Sequence, residues 1–461
     1  MKIKKVKISD SLKNVTKISS GTIAGQLISI VTLPIITRIY GAEVMGIWAT
    51  IMAVSIIVQG ICDLGITSSI MIEEQEEKVN TLYSVITTIS LLICVFAGLL
   101  AFPYFMYIKQ YELKNAILYC FLVMGYAFSV KQVNTCYTWL NRYKEYNTLM
   151  LNPVVNYSTV AFIAIGLGYL GYTKYGYYFA VMFGQMFTVV NMKRKMPRKT
   201  FCSEFTAYKY AVRKYNDLIR YQLPNNFVIQ IRDQIPTIII GSLFGDKILG
   251  YYSVSGKLLR MPVTFIGQAV GKVFYQTISE MKRKGQEIGE YVSRNMNRAI
   301  NLAFVPVFGL FAVGDIVAYI FFGSEYIMAG SILRIVVFQT FFIFVTACTQ
   351  GLEIVLRKQK YSLIATIIQT ICSTLGLVIG YYATHSIYVA IALNVITYIV
   401  IQVALYNKLF KFMGHSMREH IKKMILFLAA IILLSIIIRI GVYFVIDAFG
   451  IEALEWFKIG L

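Results

Sequence analysis

Five polar residues recur along one apolar stretch of the chain: Lys257, Arg260, Thr264, Gln268 and Lys272. Steps of three and four place them on a single face of an α-helix. Three of the five are cations, in a segment whose remaining residues read as membrane-embedded. A guanidinium grips a phosphate bidentately and an ammonium adds a movable point charge, so this face suits a phosphate or pyrophosphate on an amphiphilic molecule. Lys131, Arg232, Arg334 and Arg439 lie in other apolar runs, as do the carboxylates Asp63, Asp233, Asp315 and Glu353. Each such charge costs roughly 2.5–3.5 kcal/mol at a helix centre and needs water, a counter-ion or a ligand. Lys257, Arg260, Arg232, Lys131, Arg334 and Gln268 are therefore the candidate anion ligands. Asp63, Asp233 and Glu353 either neutralise cations or carry a coupling proton or sodium ion. Pairing with Arg232 is the preferred role for Asp233, whereas the two roles stand level for Asp63. Lys272, Asp315 and Arg439 are expected at helix ends or snorkelling toward them.

Other helices present matching polar faces. Ser55, Gln59, Asp63 and Thr67 recur at steps of four, and Asn226, Gln230, Asp233 and Thr237 share a face further on. Gln26 lies on a third such face with Ser19, Thr22 and Ser29. Gln26, Gln59, Asn226, Gln230 and Thr264 are expected to line a polar cavity. A packed polar seam accounts for hydroxyl residues alone, but not for a row of Lys and Arg.

The elements that must hold these residues are transmembrane helices. Hydrophobic residues make up 57% of the 461 and charged residues only 15%, with a mean hydropathy of +0.64, and apolar runs of spanning length recur from end to end. We read thirteen: Lys17–Thr37, Gly46–Ile70, Thr81–Tyr107, Ala116–Leu140, Leu149–Gly171, Tyr178–Met192, Gln222–Phe244, Tyr251–Ile278, Ala299–Phe322, Gly330–Leu356, Leu363–Ala383, Ile387–Leu409 and Met424–Ile446. The tail from Asp447 is too short and polar for another, and the basic amino terminus lacks a signal-peptide cleavage site. A cytoplasmic amino terminus puts 31 Lys and Arg residues in cytoplasmic segments and 6 in outer loops. That asymmetry sets the orientation and explains the net charge of +21 without nucleic acid.

The chain also repeats itself at an offset of 204. Tyr40-Gly41-x-Glu43-x-x-Gly46-x-Trp48 matches Phe244-Gly245-x-Lys247-x-x-Gly250-x-Tyr252, and Gln26 falls on Gln230. An offset of six helices preserves topology, so the copies are parallel repeats. This divides the chain into an N-lobe (1–192, helices 1–6), a basic cytoplasmic linker (193–220), a C-lobe (221–410, helices 7–12) and a C-terminal extension (411–461) with a thirteenth helix. The linker reads as an amphipathic surface helix touching lipid headgroups or as a plain connector.

Enzyme chemistry finds no support. The seven cysteines form no CxxC, the three histidines have no metal-ligand spacing, and there is no phosphate-binding glycine loop or large outer loop. No metal and no cofactor is expected, beyond coupling to a proton or sodium gradient.

Three segments carry a family resemblance: SSGTIAGQLISIVTLPIITRIYGAEVMGIWA (19–49), QIPTIIIGSLFGDKILGYYSVSGKLLRMPVTFIGQAVGKVF (234–274) and PVFGLFAVGDIVAYIFFG (306–323). Over residues 12–410 the sequence resembles the polysaccharide transport family of the MOP (multidrug/oligosaccharidyl-lipid/polysaccharide) exporter superfamily, which includes Wzx-type O-antigen flippases. The resemblance implies an all-α polytopic membrane protein with two pseudo-symmetric six-helix lobes, MATE-like, around a central cavity. It implies an undecaprenyl-pyrophosphate-linked oligosaccharide, for O-antigen, capsule or a related polymer, moved to the outer leaflet of the bacterial inner membrane by alternating access. Membrane lipids, a polysaccharide polymerase and chain-length machinery are the implied partners. A cation-coupled multidrug exporter and a non-transporting assembly scaffold are the rival readings. Family members commonly have 12 or 14 spans rather than 13, and this chain lacks the first-helix carboxylate usual in drug exporters.

Overall fold

The computed structural model describes residues 5–196 and 200–449. The ends of the chain, including the tail from 450 expected to be non-spanning, and residues 197–199 of the linker lie outside them. Every regular element among the described residues is helical, and ten helices are long and apolar enough to cross a membrane. Eleven of the thirteen expected spans fall on helical segments, and the second and tenth do so in part. The lower number arises because Lys17–Gln59 holds the first two around a kink, while the sixth is too polar and the eighth is divided at Val263–Gly267.

The chain forms two compact units, 1–249 and 250–461. The division lies one helix beyond residue 221, where the sequence repeat suggested it. In the first unit α1 (Lys5–Gln59) is bent at Gly41. Next come the single turn α2 (Ser69–Ile72), α3 (Glu76–Leu100), α4 (Leu113–Arg142), α5 (Tyr146–Tyr169), α6 (Gly176–Lys193), the short α7 (Phe205–Lys214) and α8 (Leu223–Phe244). Helix α8, the first helix of the second sequence repeat, packs on α1. There a Cβ on Gly60 would lie 3.1 Å from the Gln230 side chain, and one on Gly65 2.9 Å from the Leu223 amide. Helices α1 and α5 make the closest approach of the unit: a Cβ on Gly21 would lie 1.8 Å from the Met150 carbonyl oxygen, and Gly25 abuts Pro153. Small residues four apart let backbones meet where lipid supplies no hydrophobic drive. The repeat's aromatic residues anchor the core. Trp48 stacks on Tyr178 and meets Tyr126 and Tyr177 edge-on, while the Tyr40 hydroxyl donates to the Ala164 carbonyl at 2.6 Å.

Helix α9 (Asp246–Pro262) leads from the first unit into the second. There follow α10 (Gln268–Arg283), α11 (Gly289–Phe322), α12 (Ile327–Cys348), the turn α13 (Leu352–Val355), α14 (Gln359–Thr384), α15 (Ile387–Phe412) and α16 (Arg418–Phe449). Glycines again set the contacts: Gly271 of α10 meets the Ala347 carbonyl of α12, and Gly380 of α14 meets Ala390 of α15. The thirteenth helix, α16, packs on α11.

The first pair of glycines matched by the repeat adopts one backbone conformation, φ 72°, ψ 172° at Gly41 and φ 86°, ψ 172° at Gly245. This region is essentially closed to residues with a Cβ. Gly323, between α11 and α12, takes it a third time, at φ 97°, ψ 175°.

Two expected helices are interrupted. The second was expected to run to Ile70, but α1 ends at Gln59. Leu64 and Gly65 are left-handed (φ 52° and 74°), and a 3-10 turn, Ile66–Ser68, precedes α2. The Asp63 carboxylate accepts the Gly65 and Thr67 amides, each at 3.2 Å, and so competes with the helix for its own backbone donors. The tenth helix likewise stops at Cys348, before left-handed Gly351 and α13.

Candidate functional site

The basic face spans α9 and α10. Pro262, which has no amide hydrogen, closes α9, and a wide π-helical turn, Val263–Gly267, joins it to α10. An inserted turn of this kind rotates the face of α10 relative to that of α9. Arg260, Gln268 and Lys272 are exposed, whereas Lys257 and Thr264 are half-buried. Thr264 returns its hydroxyl to the Arg260 carbonyl at 2.9 Å. Among the described residues, no carboxylate pairs with Arg260.

In the first unit, Lys131 and Asp63 form a buried ion pair at 2.7 Å, with side chains 10% and 3% exposed. The Thr67 hydroxyl and the two loop amides complete the shell of Asp63. This places Lys131 against a carboxylate rather than on an open surface. On α8, Arg232 pairs with its neighbour Asp233 at 2.8 Å, and both remain partly open. Gln26, Asn226 and Gln230 are half-buried. The Gln59 amide nitrogen is buried without a protein partner among the described residues.

In the second unit Asp315 is buried and accepts Arg439 of α16 at 2.8 Å. Arg334 of α12 stands 3.9 Å from the same carboxylate oxygen and donates its Nε to the Phe311 carbonyl at 3.0 Å. Asp315 and Arg439 were expected at helix ends or snorkelling. They instead meet each other inside the unit, because a carboxylate on α11 and a guanidinium on α16 neutralise one another more cheaply than either reaches water. Glu353 is half-buried on α13.

Two clusters escaped the sequence reading. Asp246, at the start of α9, accepts Lys109 and the Tyr111 hydroxyl (2.7 Å), while Lys109 also donates to the Gly241 carbonyl at 2.6 Å. Glu73 is buried and accepts the Tyr210 hydroxyl and Lys214 at 2.7 Å, the Tyr215 hydroxyl at 2.8 Å and the Gln75 amide at 3.1 Å. Burial pushes its carboxyl up, but these four donors outweigh it and bring the pKa down to about 2. Hydrogen bonding to Glu73 raises Lys214, and burial, followed by Glu73, lifts Tyr215 to about 12. The cluster fastens the linker helix α7 to the turn after α2. No signal marked Glu73 among the neighbouring acids of IEEQEEK, since only its tertiary neighbours set it apart.

The cation-bearing face thus lies beside π-turned backbone, within an all-helical membrane fold. Residues 35–331 match the model of a family described as polysaccharide biosynthesis protein. The chain belongs to this family. The structure of this polysaccharide biosynthesis family member is similar to that of the lipid II flippase MurJ in an inward closed conformation. The TM-score is 0.72 at 13% identity, covering 96% of this chain and 99% of the other. It is also similar to an inward-facing multidrug resistance MATE family transporter of the MOP superfamily, with a TM-score of 0.57 at 16% identity, covering 86% and 94%. A further MATE structure, in complex with MaL6, scores 0.52 at 14% identity, covering 87% and 96%. These likenesses show that this family member shares the all-helical fold of those polytopic membrane proteins. No curated protein matches the sequence.

Proposed function

We propose that the chain is a flippase that carries an undecaprenyl-pyrophosphate-linked oligosaccharide from the cytoplasmic to the outer leaflet by alternating access. The observation that carries this reading is Arg260, exposed on α9, with no carboxylate paired with it among the described residues. A pyrophosphate supplies the charge that such a face needs. Membership of a polysaccharide biosynthesis family supports a saccharide cargo, and the MurJ-like fold supports a lipid-linked one. The strong Lys and Arg asymmetry supports a cytoplasmic amino terminus in the inner membrane. Transport is proposed to run on a proton or sodium gradient and to deliver its product to polymerase and chain-length machinery at the outer face.

The test is export of surface polysaccharide by a deletion strain carrying Lys257→Ala/Arg260→Ala. Loss of export with normal membrane insertion is expected, and normal export sinks the assignment of this face. Dye resistance with no effect on polysaccharide favours the multidrug reading. Failure of an unrelated flippase to restore export favours the scaffold.

A further inference from the structure

The second unit contains a cavity of about 650 Å³, walled by α11, α12, α15 and α16. Among the described residues, Arg334 is its one charged lining residue. Ser331 and Tyr388 add hydroxyls to the lining, and the other lining residues, among them Phe338, Ile396 and Leu428, are apolar. Along α15 the lining runs from Tyr388 to Ile399, about 16 Å of helix. The cavity is therefore an apolar slot whose lining carries one cation, Arg334, and two hydroxyls.

The charge on Arg334 is incompletely answered. Asp315 gives its oxygen to Arg439 at 2.8 Å, and Arg334 reaches the same oxygen only at 3.9 Å. Among the described residues no other carboxylate pairs with Arg334. Its Nε is taken by the Phe311 carbonyl, which leaves donors of the guanidinium fork for another acceptor.

We propose that this slot binds one anionic phospholipid, with its phosphate on Arg334 and an acyl chain laid along α15 toward Leu428. One guanidinium matches a singly charged phosphodiester. Two hydroxyls in an otherwise apolar wall provide too few donors and acceptors for a glycan, so the site is separate from the basic face of α9 and α10.

The test is native mass spectrometry of the full-length protein, supplied with equal amounts of phosphatidylglycerol and phosphatidylethanolamine. The wild type retains one phosphatidylglycerol in preference. Arg334→Gln reduces that preference about tenfold, the loss of one charged hydrogen-bonded contact, and Arg334→Lys keeps part of it. Ala392→Trp and Ile396→Trp, which fill the slot, displace both lipids and carry the test where Arg334→Gln unfolds the protein. Lys257→Ala/Arg260→Ala retains the lipid, whatever its effect on export, so the two readings fail separately. An unchanged preference in Arg334→Gln, no retained lipid, or displacement of phosphatidylglycerol by added undecaprenyl phosphate overturns the proposal.

Discussion

Asp63 in the first unit and Asp315 in the second are both buried, but the two are satisfied differently. Asp63 sits where its helix has broken, so the amides of Gly65 and Thr67 are free to bond it, and Lys131 alone neutralises it. Asp315 sits in α11 two residues past a kink at Val313 (φ −130°, ψ 19°), and among the described residues the Ile316 amide is the one backbone donor that reaches it. It relies on Arg439 from α16, with Arg334 at the edge of range. The first arrangement is local and closed. The second ties the thirteenth helix to its unit and leaves a guanidinium facing a cavity.

The largest effect is expected from breaking the pair in the second unit. Arg439→Ala leaves Asp315 buried without its main partner and costs about 3–5 kcal/mol. A paired Asp315→Leu/Arg439→Met change recovers most of that, read as thermal unfolding of the purified protein. Lys131→Ala is expected to cost less, about 2–3 kcal/mol, because Asp63 keeps its loop donors. Equal losses in the two units break the comparison. Gly41→Ala and Gly245→Ala should each cost about 1–3 kcal/mol. Nothing lies within 4 Å of a Cβ at Gly245, so the cost there is backbone strain alone. A neutral result at either glycine shows that the turn can be rebuilt.

The smallest effect concerns Glu73. Glu73→Gln removes the charge that holds Lys214, and α7 should lose protection from proteolysis or hydrogen exchange while the rest of the first unit keeps it. The pH dependence has a definite sign. The folded carboxyl lies at about 2 against an ordinary 4.5, so its contribution is complete above pH 4.5 and disappears as pH falls toward 2. Tyr215, raised from 10.0 to about 12, contributes fully below pH 10 and loses its contribution between pH 10 and 12. Protection of α7 that is flat across both windows removes the cluster as its fastening.

Much of the fold was legible because apolar length and periodicity are local properties. The thirteen helical segments, the turn at Gly41 and its copy at Gly245 follow from run length and from the one residue that tolerates their backbone. The breaks at 60–65 and 349–351 were not legible, since Ser55, Gln59, Asp63 and Thr67 keep helical spacing straight through the first of them. What ends that helix is Asp63 turning back on its own amides, with Lys131 of another helix holding it there.

The division of labour among the charges has the same origin. Residue type and spacing alone determined that this is a helical membrane protein with Lys257, Arg260, Gln268 and Lys272 at helical intervals, because an α-helix repeats every 3.6 residues, but the π-helical turn Val263–Gly267 then rotates the residues of α10 relative to those of α9. Only the tertiary structure decided which charges answer one another. Partners such as Asp315 and Arg439 lie more than a hundred residues apart, and no helical period links them. The same holds for Glu73, whose neighbours in sequence are acids and whose neighbours in space are a lysine and two tyrosines.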